Sequence, residues 1–408
     1  MSEKKRIPIP ESLTQGGLAT QPETLAVARK REKMSIGIPK EIRLQENRIA
    51  LVPSSIAALV AYGHRVVVEK GAGLKANYKD HRFSDAGADI AYSPESVYQS
   101  DIIVKVAPPK LEEIELMRPG QILITPLQLP VIDERYLHAL KAKRITALAM
   151  EYIKDETGVY PIVRIMSEMA GVSAMLTAAQ LMTNEDGGKG VLLAGISGVP
   201  SAKVVILGAG VVAEFATRVA LGLGAEVRIF DNNVSKLMRI QNMVGQSLNT
   251  STMNPTQLKK EVLTADVVIG AMHSTDGRTP IVVTEDIVME MKRGAVIIDV
   301  SIDQGGCFET SRMTTHDKPT FIEHDVIHYC VPNIASRVAR TASIAVSNIL
   351  TPILQEAGNT GSIERLLYTH AGLRHGVYMY KGALTNEYLS RRFSIKCTSI
   401  DLLLTASI

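Results

Sequence analysis

The residues best suited by type and spacing to do chemistry in this chain lie in the run Gly208-Ala209-Gly210-Val211-Val212-Ala213. It follows the β-branched run 204–207 and opens an apolar-periodic stretch, the strand, turn and helix setting that a GxGxxG/A dinucleotide fingerprint requires. Gly208 permits the tight turn, Gly210 lets the backbone approach a pyrophosphate, and Ala213 keeps the helix close to the sheet. The helix N-terminus adds unpaired N–H donors and the positive end of a dipole. Asp231 ends the next strand, about 20 residues on, where an acid accepts hydrogen bonds from the adenosine ribose. Its charge repels a 2′-phosphate and favours NAD over NADP, while Arg228 on the same strand works against that exclusion. A glycine turn of structural meaning only is the competing account, and strand, turn, helix and acid together disfavour it.

A bound dinucleotide implies hydride transfer, with the remaining groups on loops at the carboxyl ends of strands. The foremost such loop is Ile302-Asp303-Gln304-Gly305-Gly306-Cys307, directly after an expected strand at 296–300. Asp303 can position a substrate or exchange protons with it, and Gly305-Gly306 would let the backbone approach the nicotinamide. An Asp-initiated turn accounts for the same residues equally well. Of the nine histidines, only His273, in the loop after 267–271, is expected near the nicotinamide. Cys307, Cys330 and Cys397 are an odd number at wide spacing with no CxxC, which points to reduced thiols rather than a disulfide framework or zinc site. No metal is expected.

Elements that could position these groups follow from periodicity. Residues 1–34 lack it and read as an extension, with one short helix expected at 24–33. From there, short apolar runs at 36–38, 65–68, 102–106, 122–124 and 146–149 read as strands, with helical patterns at 54–62 and 133–141 between them. A second block has strands at 204–207, 227–230, 267–271 and 296–300. The fold class is therefore α/β with two domains, each with a mainly parallel sheet, the second a doubly wound Rossmann-type domain. A small-residue helix at 166–180 carries the chain across, and an apolar helix at 342–356 brings it back. The nucleotide domain, 163–340, is then an insertion in a substrate domain made of 35–162 and 341–408, with the active site in the cleft between them.

Bulk properties exclude several classes. The chain has 408 residues, more than one core of ordinary size accommodates, so two domains are expected. Only 4% of residues are aromatic and none is Trp, which removes a stacking platform for single-stranded nucleic acid. A net charge of +3 is too small for a nucleic-acid or membrane-surface protein. The basic clusters Lys4-Lys5-Arg6 and Arg29-Lys30-Arg31 with Lys33 fall in the polar extension and read as a solvated tail. No apolar run reaches the roughly 18 residues of a membrane span, and Pro8, Pro10 and Glu11 stand where a signal peptide needs apolar residues. A cytoplasmic protein is expected.

Several separate motifs in order resemble one family. They are Gly37-Ile38-Pro39-Lys40-Glu41, Asn47-Arg48-Ile49-Ala50, Gly71-Ala72-Gly73, Met166-Ser167-Glu168, Gly208-Ala209-Gly210, the Asp303 loop continued to Glu309, and Tyr329-Cys330-Val331-Pro332-Asn333. From about residue 35 to the C-terminus the chain resembles alanine dehydrogenase. The alpha subunit of nicotinamide nucleotide transhydrogenase shares the domain plan, but Ser-Glu-Met-Ala-Gly and Asp-Gln-Gly-Gly-Cys look like the dehydrogenase. The resemblance implies reversible oxidative deamination of L-alanine to pyruvate and ammonia with NAD, in a homo-oligomer, usually a hexamer. It carries over Arg48 as the clamp on the substrate carboxylate, suited by its bidentate fork, and Asp303 as the active-site acid. Ser167, Asp231 and Asn333 would line the cofactor side.

Two departures from the family pattern bear on the reaction. Its lysine belongs to a Lys-Val-Lys-Glu-Pro run, which here reads Lys105-Val106-Ala107-Pro108-Pro109. Ala107 thus stands in the lysine's place, and a methyl group cannot polarise a carbonyl. If 102–106 continues as a strand, Lys105 and Ala107 share a face, and Lys105 would partly replace the missing ammonium. The family's histidine position is Gln128, which can donate a hydrogen bond to a keto oxygen but cannot titrate near neutral pH. Three functions fit: an alanine dehydrogenase, a dehydrogenase of another small 2-oxo or 2-amino acid, or a non-catalytic NAD(H)-binding sensor or partner subunit.

Overall fold

The computed structural model describes residues 33–43, 45–129, 131–274 and 277–406. The helix expected at 24–33 and the basic clusters lie outside the described residues, Lys33 excepted. Among the described residues, fifteen strands run in chain order as β1 (Ser35–Ile38), β2 (Arg65–Glu69), β3 (Asp89–Ala91), β4 (Ile102–Val104), β5 (Ile122–Thr125), β6 (Thr146–Ala149), β7 (Lys203–Leu207), β8 (Glu226–Phe230), β9 (Asn249–Ser251), β10 (Val267–Gly270), β11 (Val296–Asp299), β12 (Thr320–Glu323), β13 (Val326–Tyr329), β14 (Val377–Tyr380) and β15 (Ala383–Leu384). They form two sheets, ordered β15-β14-β6-β5-β4-β1-β2-β3 and β12-β13-β11-β10-β7-β8-β9. Strands β1 to β6 are mutually parallel, as are β7 to β11 with β13, so the α/β class with two mainly parallel sheets holds.

Both sheets reverse their winding once, between β1 and β4 in the first and between β7 and β10 in the second. Loops diverge at such a point and leave a crevice at the carboxyl ends of the strands. The strand interiors are Val, Ile, Leu and Ala with both faces covered by helices, the pattern that parallel sheets demand. The chain leaves the first sheet after β6, builds the whole second sheet, and returns with β14 antiparallel to β6 and β15 antiparallel to β14.

Two long helices make the crossings, Pro161–Leu181 outward and Ala339–Thr360 on the return. Each is longer than the periodicity indicates. Pro161 presets the helical φ at the first turn, and Pro352 is carried inside the second helix. Contrary to expectation, Pro161–Leu181 is long and apolar enough to cross a membrane by composition. Here it is a core helix, packed against the helix Val211–Gly222 with Ala170, Ala174 and Ala178 inward.

Candidate active site

The fingerprint turn forms as its residue types require. Gly208 has φ +107°, and a Cβ there would lie 2.4 Å from the Ala271 carbonyl oxygen, so only glycine fits. Gly210 precedes the helix Val211–Gly222, and a Cβ on it would meet nothing within 4 Å, which leaves its backbone open to a ligand. Ala213 is fully buried against the sheet. Asp231 spans the turn: Oδ2 accepts the Ala209 N–H at 2.8 Å and Oδ1 the Asn233 N–H at 2.7 Å. Arg239 supports the same turn, donating to the Ala209 carbonyl at 2.9 Å while paired with buried Glu214. Arg228 is held by Glu226 at 2.6 Å and faces Glu261, so it makes no contact with Asp231. The cradle therefore suits a dinucleotide, with an open glycine backbone, a helix N-terminus and an acid at the end of the second strand.

Asp303 lies on the single-turn helix Val300–Gln304 that follows β11, closed by Gly305 at φ +94°. It is accessible from the cleft, and its Oδ1 accepts the Asn333 N–H at 3.3 Å. Desolvation by the surrounding protein raises its pKa to about 6, with Asp299 adding to the rise and Asn333 and Arg48 opposing it. Water reaches this carboxyl in the open cleft, so the rise is fullest once a ligand excludes it. Asn333 adopts a left-handed conformation, φ +54°, that turns its N–H to Asp303 and its side-chain amide to Glu46 at 2.9 Å. His273 stands exposed in the loop after β10, and Ser167 is half-buried on the helix Pro161–Leu181.

Arg48 enters from the loop after β1. It is buried, and Glu46 takes its Nε at 2.8 Å and its Nη2 at 2.6 Å. Burial alone would raise the Glu46 pKa, but the guanidinium outweighs it and holds the carboxyl below its ordinary range. The side edge of the fork is thus occupied, and Nη1, 3.4 Å from the Met166 sulfur, marks the remaining end. Arg48 and Asp303 sense each other's charge, and Glu46 and Asn333 join them across the cleft.

Lys105 does not join this group. β4 ends at Val104, so strand alternation does not carry on to place 105 and 107 on one face. The Lys105 ammonium is fully buried between Glu41 at 3.0 Å and Glu113 at 2.9 Å. Burial disfavours that charge, yet the two carboxylates outweigh it and raise the lysine's pKa. Ala107 is buried as well, and the carbonyl of Pro108 beyond it accepts from Arg43 Nε at 2.7 Å.

Gln128 lies past the end of β5, half-buried and in the left-handed region at φ +45°. Behind it stands Glu151, whose Oε1 accepts the Leu127 N–H at 2.7 Å. Its Oε2 is buried with no hydrogen-bond partner among the described residues, and desolvation raises its pKa to about 7. Sequence reasoning missed Glu46, Glu113 and Glu151, and named Glu41 only as the end of a motif, with no role. Of these, Glu46, two residues from Arg48, offered a chemical signal, since an arginine meant for a buried site needs a carboxylate partner. Among the described residues no group of His, Cys, Asp and Glu could hold a metal ion.

Residues 37–170 match the family described as alanine dehydrogenase/PNT, N-terminal domain, and residues 174–387 match its C-terminal domain. The chain is 40% identical over 369 residues to the alanine dehydrogenase of Staphylococcus haemolyticus, covering 90% of this chain and 98% of that one. It is 40% identical over 359 residues to the alanine dehydrogenase of Bacillus subtilis, covering 88% and 94%. A solved L-alanine dehydrogenase superposes with a TM-score of 0.83 at 36% identity, over 88% of this chain and 99% of that one. A transhydrogenase from Sinorhizobium meliloti, 24% identical with a TM-score of 0.75 over 87% and 99%, shares the fold. Identity of this extent, spread over both sheets and joined to an intact dinucleotide cradle, places the chain in the alanine dehydrogenase/PNT family as an NAD-dependent oxidoreductase.

Proposed function

We propose that the chain catalyses the reversible oxidative deamination of a small 2-amino acid, L-alanine first, to its 2-oxo acid and ammonia. The observation that carries the reading is the convergence of Arg48, Asp303 and Asn333 at the cleft beside the dinucleotide cradle. On this reading 35–162 with 341–408 form the substrate domain and 163–340 the cofactor domain. Gly208, Gly210, Ala213 and Asp231 hold the adenosine and pyrophosphate, while Ser167, His273 and Asn333 line the nicotinamide side.

NAD held by these residues would supply the acceptor for a hydride from the substrate Cα. Arg48 takes the substrate carboxylate on its free end, because Glu46 keeps the side edge and fixes the plane of the guanidinium. Asp303 exchanges the protons of the amine and of the water that replaces it. Its Oδ1 is engaged by Asn333, which leaves Oδ2 for the proton, and a pKa near 6 suits both directions near neutral pH. Gln128 donates its amide hydrogen to the substrate oxygen and takes no proton. Lys105 acts in the scaffold, clasping Glu41 and Glu113, and not on the substrate.

Ala107 and Gln128 favour a second reading, a different small acid or an NAD(H) sensor without turnover. The enzyme is expected to be cytoplasmic, with a small acid as its only other ligand and neither nucleic acid nor membrane as partner. It is expected as a homo-oligomer, a hexamer by resemblance; exposed Leu192, Ile196 and Val199 suit a subunit contact. The deciding assay is NADH formation with L-alanine, followed by near-ultraviolet absorbance, and its reverse with pyruvate and ammonium. Turnover sustains the first reading. NADH binding with no turnover on any acid of a panel leaves the sensor.

A further inference from the structure

We infer that Asp299, at the end of β11, is the positioning residue that fixes the place of Asp303. The inference rests on the reading of Asp303 as the proton-exchanging acid. Asp299 is buried, 1% exposed, and points into the turn that carries Asp303. Its Oδ1 accepts the Ser301 N–H at 3.0 Å, before Asp303, and its Oδ2 accepts the Cys307 N–H at 3.0 Å, after it. One carboxylate therefore ties both ends of the turn. Ser311 adds a third donor, its hydroxyl 2.7 Å from Oδ2. A Cβ on Gly306 would lie 2.6 Å from the same oxygen, so this clasp explains why a side chain is absent there.

The clasp extends to the neighbouring strand. Ser301 Oγ accepts the Met272 N–H at 2.9 Å, and Gln304 exchanges two hydrogen bonds with the Ser274 backbone, each 3.0 Å. The loop holding His273 and the turn holding Asp303 are thus fastened together, and Asp299 lies under both. Burial does most to raise the Asp303 pKa, and the charge of Asp299 adds a smaller part, while the Asn333 N–H and Arg48 oppose the rise. Burial also raises the pKa of Asp299 itself, against the Ser311 hydroxyl and the Cys307 and Ser301 N–H groups that hold its carboxylate. The other titratable groups facing Asp299, Cys307 and Cys330, have thiol pKa values raised by burial and by the same charge, so they stay neutral.

Asp299→Asn removes the charge and one acceptor at nearly constant volume. The test follows the protonated-carboxyl band of the full chain by infrared difference spectroscopy against pH, with Asp303→Asn identifying the Asp303 contribution. Wild type is expected to titrate above the ordinary carboxylate range and Asp299→Asn lower than wild type. Wherever wild type turns over, the variant's kcat falls about 10- to 100-fold through misplacement of Asp303. An infrared midpoint and a hydrogen-exchange rate across 300–311 that both stay unchanged in Asp299→Asn overturn the inference. The infrared reading needs no turnover, so an inactive wild type would sink the proposed reaction and leave this result to be judged alone. Should Asp299→Asn not fold, Ser311→Ala keeps the charge and removes one donor. Hydrogen exchange across 300–311 is then expected to speed up several-fold, and an unchanged rate overturns the clasp.

Discussion

At the scale of single residues, the structure treats unequally the two positions, Ala107 and Gln128, where the family resemblance leads one to expect a lysine and a histidine. Ala107 is buried beside carbonyls held by Arg43, so a lysine there would have to displace packed atoms. Gln128 is half-buried at a backbone position already strained, and its side chain can be exchanged with little repacking. Gln128→His is therefore expected to raise kcat, by up to the roughly 10²- to 10⁴-fold that a general acid or base supplies, with NADH affinity unchanged. Steady-state kinetics beside a fluorescence titration check it, and equal kcat in both proteins would show that no imidazole is wanted. Glu151 gives a second prediction. Its raised pKa means that the folded state holds a proton which the unfolded state has released between about 4.5 and 7, so this group's contribution to stability falls as pH rises through that window. Glu151→Gln keeps an acceptor for Leu127 and removes the charge. Its unfolding free energy should gain on wild type between pH 5 and pH 8, by about 1 to 2 kcal/mol once water access is allowed for, and the gain reads out as a rising Tm difference. A difference in Tm that does not change with pH would refute the assignment.

Elements were legible where their physics is local. β7, with its glycine turn and following helix, reads directly from the sequence because each of Gly208, Gly210 and Ala213 answers a separate local requirement. The doubly buried strands read equally well from unbroken apolar runs. β9, Asn249–Ser251, does not, because a short polar edge strand has neither alternation nor apolar content. The β12–β13 and β14–β15 hairpins escaped for a related reason: their pairing is antiparallel and serves sheet edges, and the β14 register is broken between Val377 and Met379. The apolar run 102–106 extends two residues past the end of β4 at Val104, and the expectation for Lys105 depends on those two residues. The fingerprint turn carries its own prediction. Gly208→Val places a branched side chain at φ +107° against the Ala271 carbonyl, which should weaken NADH binding by about 100-fold or more. Far-ultraviolet circular dichroism should stay near wild type, and NADH affinity within threefold of wild type would refute the cradle.

On the scale of the whole molecule, the site depends on contacts between segments nearly the whole chain apart, which no local pattern reveals. Arg48, Asp303 and Asn333 could be named from motifs, but their meeting through Glu46 could not. The loop after β1 reaches the second sheet's segments at several points: Gln45 Nε2 donates to Asp317 at 2.8 Å, and its Oε1 accepts the His316 N–H at 2.6 Å. Beside them the Ser336 hydroxyl accepts the Asn47 N–H at 3.0 Å and donates to the Gln45 carbonyl at 2.8 Å. Ser336 is 1% exposed, so deleting its hydroxyl leaves a backbone donor and a backbone acceptor unpartnered on either side of Glu46. An unmade buried hydrogen bond costs about 1 to 3 kcal/mol, and here that cost falls on the alignment of Arg48 with Asp303 rather than on either sheet. Ser336→Ala should therefore raise KM for the acid by about 5- to 30-fold, while NADH affinity, which is expected to rest on the turn after β7, is unchanged. If KM for the acid and the NADH affinity weaken together, the loop supports the cofactor half as much as the substrate half, and the division of labour between the two sheets is wrong.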